Sequence, residues 1–496
     1  MIKIVNIRRC LLPGLIILTV FSSCKKWLDV TPQTQVKESE QFSSQQGFTD
    51  ALFGAYTLAA SDSLYGNSLS FGMLDVLAQY YENKASTTAW YGPMARYMYT
   101  SASTAGTLSV VVKVNNIWGG MYNAIAQANY ILKNVDVHKD VLKGDAYNIV
   151  KGEALALRAF MHFDLLRMFA PAWLDGANAQ RTAIPYMEQF TVIPQEKKTV
   201  AEILNKCEQE LLAAQSLLAV NTNIDQIASN QGSTSLDLFL MYRQNHLNYW
   251  AVKGALARLY LYKGDKANAL KYAKEVIESG KFSLVKSTEL STDPTTITSD
   301  LTFTREHIFS VYVSGLKTVT DNLFKQAGTS AETTDLFSTR AKLDALYEAT
   351  VTGYGSDIRR VDIGRLWQQV TTTVVYSKKY YVDNPTNVRQ RLIPNMRLPE
   401  MYFIAAEASA APSDGVVFLN AVRTARLLPA LDASISAATL DAEIQKEFRK
   451  EMYGEGQAFF FYKRRNTVNI PDGVANPMSE VKYVFPFPDN ELEFGK

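Results

Sequence analysis

Cysteine is scarce in this chain: Cys10, Cys24 and Cys207 are the three present in 496 residues. So few thiols cannot frame a disulfide-stapled fold, and no Cys-x-x-Cys is present to hold zinc or exchange disulfides. Histidine is nearly as rare. His138, His162, His246 and His307 lie scattered without the spacing of metal ligands, there is no His-Glu-x-x-His, and each reads as structural. A phosphate loop is missing too, because Gly454, Glu455 and Gly456 have neither the glycine spacing nor the following Lys-Ser/Thr. Excess charge of one sign is also lacking. With 51 basic and 49 acidic residues, and basic runs of at most two or three residues, such as Lys378 and Lys379, the chain does not present a nucleic-acid surface.

What is present begins with an export signal. Lys3, Arg8 and Arg9 precede an apolar stretch from Leu11 to Phe21, followed by the small residues Ser22 and Ser23. That stretch is about half the ~20 residues a spanning helix requires. Pro13 and Gly14 weaken it further as a helix. Cys24, after two small residues and before Lys25 and Lys26, is the expected lipidation site, with Phe21 where a lipobox usually has Leu. Residues 1–23 are thus a signal peptide, and 24–46, rich in Gln, Ser and Thr, a lipidated N-terminus and tether. Less the three basic residues of the signal, the mature chain keeps 48 against 49 acidic. With Cys24 acylated, Cys207 is left on the amphipathic segment AEILNKCEQELLAAQ as a buried thiol.

Helical periodicity dominates the rest. In the unit at 246–282, Trp250, Leu256, Tyr260, Ala269, Leu270 and Ala273 recur at helical spacing, and Gly264 with Asp265 breaks the unit in two. This is a tetratricopeptide pattern, in which Ala257 and Ala273 let two helices approach and Tyr260 and Tyr272 fill the gap. Weaker pairs are IWGGMYNAIAQANYILKNV with IVKGEALALRAFMHFDLLRMFA, and LPEMYFIAAEASA with DGVVFLNAVRTARLL, where Asp414 reads as the N-cap. Long insertions separate them at Ser61–Thr107, Ser287–Thr333 and Tyr354–Asn395. The runs HIFSVYVS and TTTVVYSKKYYV predict short strands or hairpins within these. The expected fold is mainly α: a tetratricopeptide-like scaffold of helical pairs with long loop insertions and a few short β-hairpins. It forms a single domain over 47–496, with an N-terminal helical part to about 240 and an insertion-rich, C-terminal helical part over 283–496.

Aromatic side chains stack on the apolar faces of sugar rings, and rigid ones lose little entropy on binding. Tyr80, Tyr81, Trp90 and Tyr91, with Glu82 and Asn83 among them, supply that chemistry within the first insertion and are the candidate ligand contacts. Glu400 and Glu407 tempt as a carboxylate pair for glycoside hydrolysis, but lie two turns apart on a predicted helix and read as capping or salt-bridge residues. No residue set assigns a metal, and no cofactor beyond the lipid on Cys24 is expected.

Several stretches, in order, resemble the SusD/RagB family of nutrient-binding outer-membrane lipoproteins. They are CKKWLDVTPQ, NIWGGMYNAIAQANYIL, GEALALRAFMHFDLLRMFA, the unit at 246–282, RLPEMYFIAAEA, LNAVRTARLLP, FRKEMYGEGQAFFFYKR and VFPFPDNEL, which together span nearly the whole mature chain. After Gly454, Glu455 and Gly456 the chain departs from the family, with Ala458 and Phe461 where many members have a basic and then an acidic residue. The resemblance implies a non-catalytic receptor that captures oligosaccharides, or in some members peptides. Such a receptor sits as a lid on a TonB-dependent transporter, lipid-anchored on the outer membrane. Lys25 and Lys26 replace the acidic residues common near this point in surface-exported lipoproteins. The alternatives are a peptide-capturing lid of the same family and a tetratricopeptide adaptor that binds only proteins.

Overall fold

A computed structural model describes residues 38–82, 91–100, 105–224, 238–286, 300–325, 335–363, 366–384 and 387–496. The N-terminal helices are α1 Glu38–Gln41, α2 Gln45–Ala59, α3 Met73–Leu77, α4 Tyr91–Ala95, α5 Ala105–Val135, α6 Ala146–Phe169 and α7 Val200–Leu218. There follow α8 Tyr249–Tyr262, α9 Lys266–Glu278, α10 Leu316–Phe324 and α11 Arg340–Leu346. The closing run is α12 Leu398–Ala408, α13 Pro412–Ala425, α14 Ala437–Glu451, α15 Gln457–Arg464, α16 Glu480–Tyr483 and α17 Asp489–Phe494. Strands form three antiparallel pairs among the described residues: β1 Thr182–Pro185 with β2 Lys197–Thr199, β3 His307–Tyr312 with β6 Leu392–Arg397, and β4 Trp367–Gln369 with β5 Val375–Ser377.

The expected scaffold is there. Contacts between helices run in an unbroken series α2, α5, α6, α7, α8, α9, α12, α13, α14, so the segments between α9 and α12 do not interrupt the stack. Local sequence sets the breaks. Asn248 caps α8 by accepting from the Trp250 and Ala251 amides, Gly264 turns the chain at φ +75°, and the Asp265 carboxylate caps α9 through the Asn268 amide at 3.0 Å. The Tyr260 and Tyr272 rings stack 5.6 Å apart at 9°. On α7, Thr199 and Glu202 close a capping box, and Cys207 lies fully buried. Backbones also approach closely: a Cβ on Gly254 would meet the Met396 sulfur at 2.2 Å.

Some expectations need correction and others gain detail. The tether does not reach residue 46, because α1 and α2 already belong to the body and Phe42 is fully buried against Phe48 and Tyr130, with ring centroids 4.6 and 4.8 Å away. The described part of the first insertion is largely core: Leu64, Phe71, Met73, Leu77 and Met94 all join the main apolar cluster, which extends from Phe42 to Phe485. The run HIFSVYVS forms a short strand as expected, β3, and its partner is the distant β6, with His307 opposite Arg397 and Tyr312 opposite Leu392. Helix α13 starts at Pro412 rather than at Asp414, since proline supplies the starting backbone angle and Asp414 falls in the first turn.

Buried charge ties the C-terminal half together. The Arg397 guanidinium donates to Glu455 at 2.9 Å, to Glu306 at 2.8 Å and to Glu451 at 2.8 Å, and Arg426 reaches the same Glu306 and Glu451 at 2.9 and 2.6 Å. Arg359 joins Asp357, Glu447 and Glu451. In the N-terminal half a smaller hub forms on Glu153, which accepts from Tyr56 at 2.7 Å, from His246 at 2.8 Å and from Arg243.

Candidate functional site

The first-insertion aromatics turn inward. Tyr80, Tyr81 and Tyr91 are each 1% exposed and present no face to a ligand, which corrects the expectation that they stack on one. Their surroundings explain why. The Tyr80 hydroxyl donates to the Arg449 carbonyl at 2.7 Å and that of Tyr81 to the Phe71 carbonyl at 2.6 Å, while both rings pack on Tyr453 at 4.7 and 5.8 Å. Burial pushes both phenols well above the usual tyrosine value and takes Tyr91 to about 12. Glu82 is half-buried, with its amide donating to the Phe337 carbonyl at 2.7 Å. Lys342 donates to the Tyr81 carbonyl at 2.7 Å, and burial draws its pKa down to about 8. Asn83 and Trp90 lie outside the described residues.

Gly454, Glu455 and Gly456 belong to the same corner and act as a structural junction. The buried Asp75 carboxylate accepts from the Gly454 amide at 2.5 Å and from the Gly456 amide at 2.9 Å. Both glycines have positive φ, +82° and +70°, and a Cβ on Gly456 would lie 2.3 Å from the Leu69 carbonyl oxygen.

The remaining titratable candidates are engaged in the scaffold. His162 holds the Arg158 carbonyl at 2.9 Å and accepts from the Met187 amide at 3.0 Å, and its ring stacks on Tyr186 at 3.9 Å. Burial takes its pKa down to about 3, so the ring is neutral. Glu400 pairs with Arg258 at 2.6 and 2.7 Å, and Glu407 with Arg464 at 2.8 and 2.7 Å, so the two carboxylates serve separate ion pairs. Among the described residues no group of three or more His, Cys, Asp or Glu is placed to hold a metal.

Open space for a ligand lies elsewhere, in a cleft of about 570 Å³ beside α5. Its floor is one face of that helix: Asn115, Trp118, Gly119, Tyr122, Ala126 and Asn129 recur at helical spacing. A Cβ added at Gly119 would meet nothing within 4 Å, so the missing side chain leaves the floor open. One wall is the strap from Pro185 to Gln195 and the other the segment from Pro488 to Gly495.

Both walls are fixed from behind. Tyr122 donates to the Pro185 carbonyl at 2.8 Å, Asn129 to that of Met187 at 2.8 Å, and Arg158 to that of Glu188 at 3.0 Å. The Phe487 ring sits 5.3 Å from Trp118, and Lys197 pairs with Glu491 at 2.7 Å. Asn115, Gln189, Asp489 and Asn490 stand exposed at the rim, beside the apolar Val192, Ile193 and Phe494, which are 100%, 61% and 65% exposed. Trp118, 8% exposed, and the half-buried Tyr122 on the floor offer apolar contact, and the amides on the rim offer donors and acceptors, the two things an oligosaccharide requires for its ring faces and its hydroxyls. Sequence reasoning missed this site, although Asn115, Trp118 and Tyr122 already shared a helical face. A second cavity, of about 460 Å³, is lined by Phe53, Tyr56, Met241, Tyr242, His246 and Tyr312 among others.

Comparison with known proteins bears on the family and the fold. A family model described as starch-binding and associating with the outer membrane matches residues 26–261, and one described as the SusD family matches 325–492. A SusD-like protein of Formosa agariphila is 25% identical over 150 residues, a match that spans 30% of this chain and only 28% of that relative. Among solved structures, a putative sugar binding protein from Bacteroides vulgatus is 22% identical, with 91% of this chain and 97% of that one covered at a TM-score of 0.66. A SusD superfamily protein from Bacteroides thetaiotaomicron is 21% identical, covering 91% and 98% at 0.66. A SusD-like carbohydrate binding protein from Bacteroides vulgatus is 19% identical, covering 91% and 96% at 0.65.

Proposed function

The chain belongs to the SusD/RagB family, and from that premise we propose that it captures oligosaccharides at the outer membrane in the cleft beside α5. The observation that carries the reading is the cleft's composition: a floor that includes Trp118 and Tyr122, opened by Gly119 and rimmed by exposed amides. In this reading Cys24 bears the lipid, a TonB-dependent transporter receives the ligand, and the protein performs no chemistry on it. The family's association with the outer membrane supports the anchor. Among the described residues no helix is long and apolar enough to cross a membrane. Glu82, Asn83 and Trp90 are proposed as contacts for parts of a longer glycan.

A second reading, peptide capture, is favoured by the aliphatic rim at Val192 and Ile193. Calorimetry of the purified protein against panels of oligosaccharides and peptides separates the two, with Gly119→Phe as the diagnostic variant. Placing a ring in the open floor is expected to weaken ligand binding by at least about tenfold, by filling the space a sugar would take. It should leave folding intact, since phenylalanine is the better helix former of the two, by roughly 0.5 kcal/mol. Unchanged affinity in that variant removes the cleft from the reading, and binding of peptides alone replaces oligosaccharide capture by peptide capture.

A further inference from the structure

The cleft's charges bear on which sugars it admits. Among the described residues that line it there is no lysine or arginine, whereas Asp489 stands exposed on the rim and Glu491 behind it. Of the cations on the neighbouring elements, three are already committed, and Lys198 and Lys496 lie outside the lining. Lys197 pairs with Glu491 at 2.7 Å, Lys206 with Glu188 at 2.8 Å, and Arg158 with Glu210 at 2.6 Å and with the Asn129 side chain at 2.7 Å. A carboxylate or sulfate entering here would lose water without gaining a cationic partner and would face Asp489. Hydroxyls face no such difficulty, because the exposed amides of Asn115, Gln189 and Asn490 both donate and accept.

We propose that the cleft selects neutral oligosaccharides over uronate-rich or sulfated ones of similar length; this rests on reading the cleft as a glycan site. The selection comes from the absence of a basic fork and the presence of one uncompensated carboxylate, rather than from shape.

The test uses the full mature protein and calorimetry at low and physiological salt. Neutral gluco- and manno-oligosaccharides are compared with oligouronates and sulfated galacto-oligosaccharides. Neutral ligands are expected to bind at least about tenfold more tightly, with little dependence on salt. Asp489→Lys and Gln189→Lys, both at exposed positions and checked for folding by circular dichroism, are each expected to raise the affinity for the anionic set about tenfold at low salt; Asp489→Lys should leave neutral binding within about twofold, whereas Gln189→Lys, which gives up one of the rim amides, should weaken it. Wild-type protein that binds an anionic glycan as tightly as a neutral one, more weakly as salt rises, overturns the selectivity while keeping glycan capture. If neither set binds, glycan capture itself fails and the selectivity falls with it. Using two variants on separate walls keeps the result readable if one of them misfolds.

Discussion

Two aromatic-rich regions of this molecule have opposite fates. At the corner around Tyr80 and Tyr81, both hydroxyls meet a backbone carbonyl, the rings pack on Tyr453, and the chain around them is closed. In the cleft beside α5, Trp118 and Tyr122 are also held from behind, yet the space over Gly119 is open and the nearby amides face solvent. Aromatic density alone therefore does not mark a binding surface. What the cleft adds is unfilled volume beside its aromatic residues and exposed polar groups, the composition expected of a ligand site.

Removing charge from the buried network beside the corner should have the largest effect. Arg397→Ala leaves Glu306, Glu451 and Glu455 buried without one of their cations, and breaking such a pair typically costs about 3–5 kcal/mol. Chemical denaturation should show that loss, while the fraction that remains folded binds ligand with unchanged affinity. A fall in affinity of the folded fraction would break the distinction, by making the corner part of the site.

The Glu153 hub extends the contrast to acid. Burial alone would raise the Glu153 carboxyl, but Arg243 and His246 outweigh it and hold the pKa at about 2, against an ordinary 4.5. A carboxyl lowered on folding adds stability that is fully present above the unfolded value and is lost as pH falls through the folded one. The shift corresponds to roughly 3 kcal/mol at neutral pH, disappearing between about pH 4.5 and 2. Glu153→Gln should thus be clearly less stable than the parent at pH 7, with the gap closing through that window. A gap that stays constant with pH would mean that the hub's charge adds nothing.

Much of the fold was legible because helices announce themselves by period and by caps. Asp265 and Gly264 placed the α8–α9 break, and the helical periods of 117–135 and 149–170 anticipated most of α5 and α6. The pairing of β3 with β6 was not, because nothing local in HIFSVYVS points to a partner at Leu392–Arg397. The candidate site failed for a related reason. Whether Tyr80 and Tyr81 face water depends on Phe324 and Tyr453, far off in sequence, whereas the floor of the cleft is one local helical face and only its walls, at 185–195 and 488–495, are distant.

The smallest effect sharpens the contrast most. Tyr81→Phe removes a buried hydroxyl whose bond to the Phe71 carbonyl is 2.6 Å long, keeps the ring in place against Phe324 and Tyr453, and leaves that carbonyl without its donor. The expected cost is ~1 kcal/mol, read as a lower denaturation midpoint with an unchanged slope. Ligand affinity should stay at the parent's value. Gly119→Phe in the cleft should do the reverse, losing affinity while keeping stability, so the two variants together form a crossed test. If Tyr81→Phe weakened binding as well, the corner would have to communicate with a ligand through the Phe71 turn, and its rings could no longer be counted as scaffold alone.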